Sequence, residues 1–145
     1  MTSALTPSFS PARSGASSAA LWTGRVLSAL VVLVLLADAA VNLFAPEKLA
    51  EPMAATGFTA ALSPQLGILM LVCAVLYAIP RTSVLGAILV TGFLGGAICA
   101  HFRVGEIGSG SQIVCLVIGV AAWLGLYLRV PAFRALLPLN LGQSA

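Results

Sequence analysis

The sequence predicts an all-α protein, a four-helix transmembrane bundle whose helices run antiparallel with both termini cytoplasmic. Three observations carry that reading. Of 145 residues, 60% are hydrophobic and only 8% are charged, against about 25% charged in a soluble domain. A soluble chain of this length buries only roughly 70% of the surface its unfolded form exposes, so this much apolar surface needs lipid as its solvent. The apolar residues fall into four runs of about membrane-spanning length, and the few charges sit at the ends of those runs.

Residues 1–20 are rich in Ser, Ala and Pro with Arg13 as the single charge, the composition of a disordered tail. Residues 21–138 form the membrane domain and 139–145 a C-terminal tail. The first helix is expected over about 23–44, long enough to cross a hydrocarbon core of about 30 Å. A rival reading makes Ala37-Asp38-Ala39 the cleavage site of a signal peptide, but the apolar run continues through Val41, Leu43 and Phe44, as a retained anchor does. Ala45 to Ser63 reads as a short amphipathic helix on the outer surface, opened by Pro46 and closed by Gly57. Ser63-Pro64 is expected to cap the second helix, about 64–79, which Pro80 stops. Thr82 and Ser83 are expected to cap the third, about 83–102, so these two helices are antiparallel neighbours across a tight turn. A glycine-rich turn, Gly105 to Gly110, leads to the fourth helix at about 111–128, begun by Ser111 and ended by Arg129 and Pro131.

With the N-terminus inside, the inner face carries Arg13, Arg25, Arg81, Arg129 and Arg134 and the outer face only Lys48 and Arg103, the bias that sets orientation. Trp22, Tyr77 and Tyr127 then share the inner boundary as an aromatic belt. The isolated basic residues form no phosphate-binding stripe, which excludes nucleic acid as a partner. The lipid bilayer is the partner the composition demands.

The third helix is dense in small residues. Gly86, Gly92, Gly95 and Gly96 are its expected packing positions, with Gly92 and Gly96 a GxxxG step, because close backbone approach holds helices together in lipid. The functional alternative is that this stripe lines a pocket for a flat ligand such as a quinone or a lipid. Asp38 sits about 9 Å inside the outer end of the first helix, where a carboxylate is costly and needs a partner or water. Asn42 lies one turn further out on the same face, and His101, Arg103 and Glu106 gather at the same end. This outer polar cluster is either an interhelical pair that fixes register, Asp38 meeting His101 or Arg103, or a site for a proton, a quinone head group or an anion. Cys73, Cys99 and Cys115 have no metal-site spacing. They read as small packing residues, with a Cys99–Cys115 disulfide as the alternative. No nucleotide loop, zincin motif, nucleophile elbow or carboxylate pair is present, so neither a self-contained enzyme nor a metal or obligatory cofactor is expected.

The stretch Leu76 to Gly105, with Tyr77, Pro80-Arg81-Thr82, Leu85-Gly86-Ala87, Thr91-Gly92, Gly95-Gly96-Ala97 and His101 with Arg103, resembles the DoxX-like family of small bacterial membrane proteins. The likeness extends through Asp38, Leu128-Arg129 and Arg134-Ala-Leu-Leu-Pro. The chain departs from the common pattern at Phe93, Ala100 and Asn42, where tyrosine, threonine and a nearby lysine are expected. The resemblance implies a four-helix bundle in the bacterial cytoplasmic membrane and a link to quinone or sulfur redox chemistry by analogy of fold. The expected function is an accessory or structural membrane subunit with a redox protein as partner, alone or as an oligomer. The alternative is a small proton-linked transporter using Asp38 and His101.

Overall fold

The computed structural model describes residues 18–136; the expected N-terminal tail up to residue 17 and the chain beyond 136 lie outside the described residues. Four helical segments are long and apolar enough to cross a membrane: α1 (Ser18–Phe44), α3 (Ser63–Ala78) together with the 3₁₀ turn Ala60–Leu62 that leads into it, α4 (Ser83–Arg103) and α5 (Gly110–Arg129). Two short helices flank them, α2 (Ala50–Ala55) in the long connection and α6 (Pro131–Leu136) after α5. Among the described residues every regular element is helical, as the sequence predicts. One end of the bundle carries the 45–62 connection and the 104–109 turn, and is called the loop end. The other carries the start of α1, the 79–82 turn and α6, and is called the arginine end.

Each helix buries one stripe. On α1 it is Gly24, Ser28, Val31, Leu35, Ala39 and Asn42, and on α3 Ser63, Gly67, Met70, Cys73, Ala74 and Tyr77. Steps of three and four residues keep one face turned to the neighbours, as in antiparallel bundles of slightly inclined helices. The residues on the opposite faces, such as Leu33, Ile68 and Val120, are exposed, which suits a protein whose solvent is hydrocarbon.

The helices form a ring. α1 packs against α3 and α5, and α4 against the same two, while α1 and α4 make no contact. Burial on α4 runs only from Ser83 to Leu94, so its loop-end half stands free of the core.

The closest helix contacts depend on glycines, though not on those the GxxxG step predicts. A Cβ on Gly24 would lie 2.7 Å from the Arg129 main-chain nitrogen, and one on Gly125 2.7 Å from the Ser28 hydroxyl, so α1 and α5 meet backbone to backbone. A Cβ on Gly86 would overlap the Tyr77 backbone, which seats α4 on α3. Gly92, Gly95 and Gly96 meet nothing within 4 Å. Their expected packing role is therefore corrected: they point away from the core because α4 turns its Ala87, Val90 and Leu94 side inward.

Polar side chains in the core tie the ring at two levels. The Tyr77 hydroxyl donates to the Ala122 carbonyl of α5 at 2.8 Å and lies 3.1 Å from the Ser28 hydroxyl of α1. Tyr77 is 0% exposed, so it is a core residue rather than part of an aromatic belt. Near the loop end the Ser63 hydroxyl donates to Asn42 Oδ1 at 2.9 Å. Ser63 is thus the first residue of α3 and not its cap; the cap position is Leu62. Thr82 does hold the N-cap position of α4, as expected, but its hydroxyl and that of Ser83 turn back to the carbonyls of Leu76 and Pro80. The cap of α5 is Ser109, not Ser111, in a capping box with Gln112.

Replacing Gly86 by Ala forces a methyl group into the Tyr77 backbone and is expected to cost about 1–3 kcal/mol as overpacking. Gly92→Ala adds its methyl to open space and is expected to leave stability unchanged or slightly raised, since Ala favours helix over Gly by about 1 kcal/mol. Thermal unfolding of the two variants in the same detergent checks this contrast.

Candidate functional site

The polar residues singled out from the sequence fall into three separate arrangements. Asp38 lies six positions before Phe44 on α1, about 9 Å from that end. Its side chain is exposed and, among the described residues, its carboxylate makes no hydrogen bond or ion pair. The expected meeting of Asp38 with His101 or Arg103 does not occur, because α1 and α4 stand diagonally across the ring.

Asn42 belongs to the core. At 7% exposure it donates from Nδ2 to the Asp38 carbonyl at 3.0 Å and accepts from Ser63. It satisfies itself within the bundle, as a polar group at this depth must.

His101, Arg103 and Glu106 do come together at the loop end of α4. His101 Nδ1 lies 2.6 Å from Glu106 Oε2. An ionised carboxylate only accepts, so the proton of this bond sits on Nδ1 and the ring's Nε2 is left without a partner among the described residues. The Glu106 main-chain N–H donates to the His101 carbonyl at 3.1 Å and holds the turn shut. The Glu106 carbonyl accepts from Gln112 Nε2 at 3.1 Å. Gln112, 3% exposed, was readable as the last residue of the Ser-x-x-Gln capping signature, and it locks the turn that positions Glu106.

Arg103 reaches across to the long connection. Its Nη2 donates to the Thr56 carbonyl at 2.8 Å and its guanidinium lies 5.9 Å from the centre of the Phe58 ring. Gly57, between them, takes a φ of 76° that ends α2 and turns the chain onto the end of α4.

Under that strap runs a cleft of 680 Å³ between α3 and α4. Leu69, Cys73, Leu89 and Phe93 form its walls, Gly92 and Gly96 its floor, and Thr56, Phe58 and His101 its mouth. The glycines that pack against no helix therefore make a groove. A second apolar cleft of 690 Å³ lies between α4 and α5 beside Gly95, Gly119 and Trp123. The two clefts flank the half of α4 that the core leaves uncovered. Cys73, Cys99 and Cys115 are free thiols, and no group of His, Cys, Asp or Glu among the described residues has the arrangement to hold a metal ion.

Residues 26–125 match the family model described as DoxX-like family. No curated protein and no solved structure matches the chain.

Asn42→Ala leaves the buried Ser63 hydroxyl without its acceptor and is expected to cost about 1–3 kcal/mol. Asp38→Asn breaks no side-chain hydrogen bond or ion pair among the described residues and is expected to leave the unfolding temperature of the isolated protein unchanged or raised. Unfolding followed by circular dichroism distinguishes the two.

Proposed function

The chain belongs to the DoxX-like family, and on that premise we propose that this multi-pass membrane protein is a non-catalytic subunit that holds a quinone for a redox partner. Its place in this reading is the bacterial cytoplasmic membrane, with the arginine end and both termini inside. The observation that carries the proposal is the α3/α4 cleft. Its 680 Å³ volume falls within the range of about 300–1,000 Å³ usual for small-molecule sites. It is open toward the lipid-facing side of the bundle and apolar along its length, which fits an isoprenoid tail.

The mouth supplies what a quinone head group needs. With Nδ1 engaged by Glu106, His101 presents Nε2, which accepts a hydrogen bond from a hydroquinone hydroxyl when the ring is neutral and donates to a quinone carbonyl when it is protonated. The loop held by Arg103 on the Thr56 carbonyl covers the mouth and limits water there. In this reading electron transfer belongs to the partner. The transporter reading gains no support from this geometry, because Asp38 and His101 sit on helices that do not touch.

The test is binding of a short-chain quinone to the full chain in nanodiscs, followed by thermal shift and native mass spectrometry. Gly92→Leu combined with Gly96→Leu fills the cleft floor without entering the core and is expected to weaken binding at least tenfold. His101→Ala is expected to weaken it by about five- to tenfold, the loss of one hydrogen bond of roughly 1 kcal/mol. Equal binding by the leucine variant, or none by the parent chain, refutes the assignment.

A further inference from the structure

The arginine end is charged in one sign only. Arg25, Arg81, Arg129 and Arg134 all lie there, whereas every acidic side chain in the chain, Asp38, Glu47, Glu51 and Glu106, lies in the loop-end half. No carboxylate of Asp or Glu is within reach of any of the four. Arg129 and Arg134 are partly buried and fixed. Arg129 Nη2 donates to the Tyr77 carbonyl at 2.8 Å with its guanidinium 5.0 Å from the Tyr77 ring centre, and Arg134 Nη2 donates to the Leu128 carbonyl at 3.1 Å. The Nε of each is buried without an acceptor among the described residues. Arg25 is exposed beside them, because Gly24 brings the α1 backbone against that of Arg129. The contact of the α1 start with the α5–α6 elbow thus brings the main-chain positions of Arg25 and Arg129 together, with Arg134 five residues further along at the same end of the bundle.

Arginines at one end of a bundle favour an anion, and no Asp or Glu side chain pairs with them among the described residues. At the ends of membrane spans the anion at hand is the lipid phosphate, which the planar fork of arginine matches in two-point geometry. A zwitterionic headgroup brings its own cation and cancels most of the attraction, whereas an anionic headgroup keeps it. We infer that the elbow between α1, α5 and α6 is a binding site for the headgroup of an anionic phospholipid, with Arg25, Arg129 and Arg134 as its ligands and Arg81 adding to the field. The site lies at the opposite end of the bundle from the quinone cleft and does not depend on it.

Native mass spectrometry tests this directly on the full chain, purified gently, stripped of lipid and titrated with phosphatidylglycerol or phosphatidylcholine. Phosphatidylglycerol is expected to be retained more than tenfold better, at about fivefold for each arginine near the surface. Arg25→Gln with Arg134→Gln should bring the two lipids to near parity. Arg25→Gln alone, at an exposed side chain whose guanidinium lies 5.9 Å from the centre of the exposed Trp22 ring, should lower the preference by about fivefold and decides the matter if the double variant does not fold. Equal retention of both lipids by the parent chain overturns the inference. So does a preference left undiminished by Arg25→Gln, which moves the site elsewhere. Displacement of bound phosphatidylglycerol by millimolar inorganic phosphate also overturns it, by making this a site for the free anion.

Discussion

The bundle depends on one phenol. Tyr77 is wholly enclosed, in a chain whose solvent cannot supply a hydrogen bond to an orphaned group. Its hydroxyl is satisfied by α1 through Ser28 and by α5 through the Ala122 carbonyl. Three helices are thereby fixed in depth by a single side chain, and a slip of one turn by any of them leaves a buried polar atom unpaired, at a cost of about 1–3 kcal/mol. The main chain of the same residue receives Arg129 on its carbonyl and Gly86 against its backbone. The fourth helix therefore docks on the same point, through a glycine and not through a polar bond. Asn42 and Ser63 repeat the device near the other end between α1 and α3 only.

This asymmetry determines where a ligand can go. α4 is held at the arginine end by its packing on Tyr77 and midway by the Trp123 indole, which donates to the Thr91 hydroxyl at 2.8 Å. Beyond Leu94 none of its residues is fully buried. The helix richest in glycine is thus the one whose loop-end half is least covered, and apolar clefts open on both of its flanks. The polar residues at its tip, His101 and Arg103, are used up by the turn and the strap apart from the free imidazole nitrogen. An apolar groove ending at a single titratable ring has the form of a site for a long amphiphile with a small polar head.

Much of the architecture was legible in the sequence because length, hydropathy and charge placement act locally. The four spans, the tight α3/α4 turn and the end of α2 at Gly57 are properties of segments. What was not legible depends on which helices face each other. GxxxG spacing shows that Gly92 and Gly96 share a face but not what that face meets, whereas Gly24, Gly86 and Gly125 carry the close contacts from isolated positions without a motif. Asp38 and His101 share a depth range, and nothing in the chain indicates that their helices are diagonal. Ser63, Thr82 and Ser83 read as caps because in water the exposed helix end is the hydroxyl's usual partner. Here the hydroxyls turn instead to Asn42 across the helix interface or to carbonyls of the preceding turn. Tyr77 read as an interfacial residue for a similar reason: its polar tip suits a membrane boundary, and only the tertiary structure reveals acceptors for it inside.

The central claim is that α4 turns Ala87, Val90 and Leu94 to the core and its glycine face to an open cleft. Spin labels placed singly along α4 in nanodiscs test it most directly, read by mobility and by collision with dissolved oxygen. Labels at positions 87, 90 and 94 are expected to be immobile and shielded, and those at 92 and 96 to be mobile and accessible from the lipid. Immobile, shielded labels at 92 and 96 together with accessible ones at 87 and 90 would contradict it, because α4 would then pack through the very face that the structure leaves open.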